Sequence, residues 1–90
     1  MSLMNLNVFW KNHGVFKITI SGEKTLLDLK KEIANYCHKN YNGLINYTNF
    51  NILNGNFIHD STCNSKTLIE LKIARVIRLP VNFNPAEKQD

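Results

Sequence analysis

A chain of 90 residues is long enough for one hydrophobic core and too short for two. Its 43% hydrophobic and 20% charged residues are those of an ordinary globular chain, and no apolar run approaches the roughly eighteen residues a membrane helix takes. The net charge of +4 tilts encounters toward acidic partners without the dense basic run of a nucleic-acid arm, so the composition points away from both membranes and nucleic acids.

Residues 5–11 alternate, with Leu6, Val8 and Trp10 on one face and Asn5, Asn7 and Phe9 on the other, which predicts a strand. Asn12-His13-Gly14 reads as a turn. Residues 15–21 alternate again, with Phe16, Ile18 and Ile20 together, so the two strands are expected to pair as a hairpin. Residues 25–38 are the one segment with a helical period. Leu26, Leu29, Ile33, Tyr36 and Cys37 line one stripe, and Lys30, Lys31, Glu32 and Asn35 take the other side. Thr25 is placed to cap this helix, and Asp28 three residues on completes a variant of the capping box.

Residues 39–49 form a connection longer than usual, with Leu44 and Ile45 as its expected anchors. Residues 50–53 read as a short strand, Asn54-Gly55 as a two-residue hairpin turn, and 56–59 as the returning strand. Residues 60–66 are a polar loop, and 67–73 fit a helical turn as well as a strand. Residues 76–83 alternate, with Ile77, Leu79, Val81 and Phe83 on one face, and predict a final strand whose pairing weakens at Pro80. The expected core is the inward face of each strand, Val81 included, with the helix stripe and Leu68. The domain is expected to span residues 4–84, with 85–90 a polar flexible tail and Met1-Ser2-Leu3 an added leader ahead of Met4.

The side chains able to do chemistry form no constellation. His13, His38 and His59 have no nucleophile at a telling spacing, and Asp28, Glu32 and Glu70 are explained as cap and helix-surface charges. Cys37, His38, His59 and Cys63 match no metal-ligand spacing. Cys37 and Cys63 form no CxxC pair, which favours reduced thiols and an intracellular protein, cytoplasmic or nuclear. No catalytic residue, metal or cofactor is expected, and no enzyme.

Three stretches in this order resemble the ubiquitin-like β-grasp family. Thr25-Leu26-x-Asp28-Leu29-Lys30-x-x-Ile33 is similar to its helix opening, and Leu53-Asn54-Gly55-Asn56-Phe57-Ile58 to its tight turn after the third strand. Thr67-Leu68-x-x-Leu71-x-Ile73 followed by residues 76–79 is similar to its short helical turn and last strand. The resemblance implies an α+β fold: a mixed four- or five-stranded sheet, first and last strands central and parallel, one helix packed across it. The long segments 39–49 and 60–66 depart from the pattern.

By alternation the sheet face away from the helix carries Phe9, Val15, Lys17, Val76, Arg78 and Pro80, an apolar centre with basic flanks. The resemblance adds Ile52, the aliphatic residue ahead of the tight turn. The function it implies is a non-conjugated, monomeric interaction module or adaptor. Its protein partner would be bound on Phe9, Val15, Lys17, Ile52 and Arg78. The last glycine of this sequence is Gly55, so a modifier or sulfur carrier would need a di-glycine end that this sequence lacks. A Ras-binding-type domain using the edge of the second strand and Lys17 is a further alternative, and nucleic-acid binding through Lys17, Arg75 and Arg78 a distant one.

Overall fold

The computed structural model describes residues 3–85; Met1, Ser2 and the 86–90 portion of the expected tail lie outside the described residues. Strands β1 (Leu3–Trp10) and β2 (Gly14–Ser21) pair antiparallel, Leu3 opposite Ser21 through to Trp10 opposite Gly14. The tight link between them takes left-handed backbone at Asn12 (φ 74°) and Gly14 (φ 86°), which short polar side chains and glycine tolerate best. Leu6, Val8, Trp10, Ile18 and Ile20 are buried as their alternation predicts. Phe16 is half-buried and stacks flat on Tyr36 with ring centroids 4.0 Å apart.

Helix α1 (Leu26–Tyr41) starts where the capping signal puts it. The backbone N–H of Thr25 donates to Asp28 Oδ2 at 3.1 Å, and the N–H of Asp28 donates to Thr25 Oγ1 at 3.2 Å. The helix closes on Asn42, in left-handed conformation (φ 56°), whose N–H reaches the Cys37 carbonyl. The Thr25 backbone N–H, aided by its hydroxyl, holds the Asp28 carboxyl below its ordinary value of 3.8. A depressed carboxyl pKa stabilises the fold above the ordinary value, and that contribution is lost as the pH falls through the folded pKa. Asp28→Asn should therefore cost about 1 kcal/mol at neutral pH, and urea titrations should show the gap to wild type closing below pH 3.8. A gap that persists in acid would place the effect outside the cap.

Strands β3 (Ile52–Asn54) and β4 (Phe57–His59) form the second hairpin, with Ile52 opposite His59, Leu53 opposite Ile58 and Asn54 opposite Phe57. The central turn residues are thus Gly55 and Asn56, one position later than the Asn-Gly signal predicts. Gly55 has φ 62° and Asn56 does not take a positive φ, the φ pattern of a type II′ turn. Asn54 ends the strand instead, and its amide donates to the carbonyls of Ala74 at 3.1 Å and Val76 at 3.0 Å.

The polar loop after β4 contains a 3₁₀ turn (Ser61–Cys63) capped by Asp60. Residues 67–73 resolve as one helical turn. It opens with reciprocal hydrogen bonds between Thr67 and Glu70 and closes with Lys72 in left-handed conformation. The N–H of Ile73 donates to the Leu68 carbonyl at 3.1 Å, and the N–H of Lys72 to the Ile69 carbonyl at 3.0 Å, a Schellman closure over buried Leu68 and Ile73.

Strand β5 (Val76–Arg78) lies parallel to β1 and antiparallel to β3, giving the order β2-β1-β5-β3-β4 with α1 across one face. It is shorter than predicted. The ladder extends only to the Leu79 N–H, bonded to the Phe9 carbonyl at 3.0 Å; Pro80 has no N–H to continue it, and a turn closed by the Phe83 N–H on the Pro80 carbonyl follows. Leu79 and Phe83 are buried, whereas Val81 sits on that turn, 84% exposed, and is not a core residue.

Lys30 belongs to the core, contrary to its place on the polar side of the helix pattern. Within the long connection Ile45 is exposed and Leu44 half-buried, and the anchoring falls to Tyr47 and Phe50, which pack on Phe83. Pro85, assigned to the tail, is buried, and its carbonyl accepts the Leu44 N–H at 2.6 Å.

Candidate functional site

Residues directly opposite one another across a ladder share a face. Val15 stands opposite Phe9, Phe9 opposite Arg78, Arg78 opposite Leu53, and Leu53 opposite Ile58. These five residues, one from each strand, make a continuous row across the sheet on the side away from α1. Val15 (60%), Phe9 (43%) and Ile58 (66%) are open to solvent, Arg78 is exposed and Leu53 half-buried. In the next row Lys17 faces Asn7, and Asn7 faces Val76, both Lys17 and Val76 exposed.

Four of the five predicted docking residues, Phe9, Val15, Lys17 and Arg78, therefore share this face. Ile52 does not. It is fully buried, because the pairing that points Leu53 outward beside Arg78 turns its neighbour in β3 toward the helix. Leu53 takes the surface position. A shallow groove of about 140 Å³ runs along the face, lined by Phe9, Lys11, Leu53, Arg78, Pro80 and Val81. Leu53, Ile58, Lys11 and Val81 were not foreseen; the hairpin register, once the turn is centred on Gly55 and Asn56, identifies the first two. Lys11, Lys17 and Arg78 supply positive charge, and the outward strand residues Asn5, Asn7, Phe9, Val15, Lys17, Thr19, Leu53, Val76 and Arg78 include no carboxylate.

The remaining candidates do not join this row. His13 stacks on Trp10, ring centroids 3.8 Å apart, with Tyr41 edge-on to both. His38 Nδ1 lies 2.9 Å from the Gly43 carbonyl at the helix end. His59 is buried, and its Nε2 has no hydrogen-bond partner among the described residues. Cys37 and Cys63 are free thiols. Burial pushes the Cys37 thiol up to about 11, the opposite of what a nucleophile needs. Among the described residues no three His, Cys, Asp or Glu side chains come together as metal ligands. No described helix is long and apolar enough to cross a membrane.

Two hairpins bridged by a parallel last strand, with one capped helix laid over the sheet, define the ubiquitin-like β-grasp fold. The NMR solution structure of the ubl5 domain from the polyubiquitin locus of T. thermophila is similar at TM-score 0.65, over 92% of this chain and 98% of that one, with 17% sequence identity. At that identity the likeness is one of fold. No family model matches the sequence, and no curated protein matches it.

Proposed function

We propose that this protein is a non-conjugated ubiquitin-like interaction module that docks a protein partner on its outer sheet face. The observation carrying the reading is the row Val15-Phe9-Arg78-Leu53-Ile58, apolar but for one arginine at its centre. An aromatic anchor beside an exposed arginine is the composition of an interface hot spot. With Lys11 and Lys17 on the flanks, the complementary surface is an apolar ridge bordered by carboxylates. The role is that of an adaptor rather than a catalyst, and the two free thiols fit an intracellular setting.

Phe9→Ala combined with Arg78→Glu should reduce partner capture from a native lysate at least about tenfold, since two hot-spot truncations together exceed 1.4 kcal/mol. Circular dichroism should show an unchanged fold, because both side chains project from the outer face. Capture that survives the double change would remove the sheet face from consideration.

A further inference from the structure

Sheets of natural proteins blunt their edges with short strands, bulges, prolines or inward charges. One edge here is blunted by length, since β4 has only three residues. The other is not. Strand β2 runs for eight residues in unbroken register against β1, contains no proline, and carries one charge, Lys17, on the outer face. Among the described residues no strand pairs with its other side, which is a template for another strand.

We propose that β2 pairs antiparallel with β2 of a second copy of this chain, about a twofold axis through Ile18, joining two five-stranded sheets into one. The strand is self-complementary in this register. Reflection about Ile18 sets Phe16 against Ile20 and Ile18 against its own counterpart, an aromatic and β-branched row of the kind that stabilises cross-strand pairing. On the outer face it sets each Lys17 against Thr19, so no like charges meet. Moving the axis by one residue to Lys17 would keep the ladder equally long but oppose the two lysines. The same reflection carries His13 up to Glu23 and Asn12 up to Lys24, pairing the turn before one strand with the turn after the other.

A cavity of about 540 Å³ opens beside this end of β2, lined by Leu3, Thr19, Ile20, Ser21, Glu23 and Glu32 among others. It adjoins Ile20, the position opposite Phe16 of the second copy. Both copies contribute the same patch, so the interface closes as a dimer rather than growing into a filament.

Sedimentation velocity of the wild-type chain between about 1 μM and about 1 mM should show a shift from monomer toward dimer. Thr19→Lys sets a second lysine against Lys17 twice over and should weaken dimerisation about tenfold, leaving the circular dichroism of the monomer intact. Adding Lys17→Glu to Thr19→Lys opposes unlike charges and should restore the dimer. A wild-type chain that sediments as a monomer throughout, or a dimer indifferent to both changes, would overturn the proposal. A dimer lost instead with Phe9→Ala and Arg78→Glu would overturn it too, by placing self-association on the outer face.

Discussion

Ile52→Ala should destabilise the domain by about 3 kcal/mol, the usual cost of emptying a fully buried aliphatic site. Domains of this size have a total stability on the order of 5–13 kcal/mol, so the variant should be close to unfolding under mild denaturant. Its immediate neighbour should behave in the opposite way. Leu53 is half-buried on the outer face, and Leu53→Ala should cost less than about 1 kcal/mol while weakening partner capture. Urea midpoints for the two variants, read beside the capture assay, separate a packing role from a docking role at adjacent positions. An Ile52→Ala midpoint equal to wild type would mean that β3 presents its other face to the helix.

The second large effect is expected at Asn64. Lys30 is fully buried on α1, with its Nζ donating to Asn64 Oδ1 at 2.8 Å and lying 5.9 Å from the centre of the Phe50 ring. Burial pulls the Lys30 pKa below 10.5, and the charge of Asp60 works in the other direction. The folded state therefore binds this proton less tightly than the unfolded chain does. The penalty is full below the folded pKa and fades as the pH rises to 10.5. Asn64→Ala takes away the acceptor while leaving the ammonium in place, and should cost about 2–3 kcal/mol.

Lys30→Met keeps the stem volume and removes the charge, so it should fall within about 1.5 kcal/mol of wild type. In that background Asn64→Ala should cost little. A double-mutant cycle measures the coupling directly, and equal costs for Asn64→Ala in both backgrounds would show that the pair does not hold the loop to the helix.

Where the chain repeats its pattern over many residues, the fold is legible without coordinates. The eight-residue strands and the sixteen-residue helix each pass through several periods, and Thr25 with Asp28 marks the helix start without help from elsewhere. Lys30 escaped because a helical pattern assigns lysine to the solvent side, while its acceptor lies 34 residues further on, in a loop with no pattern at all. Ile52 and Leu53 escaped for a different reason. A three-residue strand contains barely one alternation, so its facing depends on a single register step, and the turn falls one residue later than the Asn-Gly pair indicates. Val81 was misplaced because alternation continues through residues 79–83 although the ladder cannot pass Pro80. The outer sheet face was legible on β1, β2 and β5, where alternation is clean, and illegible on the second hairpin.

The central position of β5 also bears on how the chain is made. The first hairpin and the second meet through β5, which pairs with β1 on one side and β3 on the other. A ribosome delivers β1, β2 and α1 well before it delivers residues 76–78. Until then β1 lacks its second neighbour and β3 has only β4. The last strand can join β1 and β3 only after the residues of both hairpins have been made. The parallel pairing of Asn7 with Val76 closes a loop of about seventy residues, and contacts so distant in sequence are the slow ones to form.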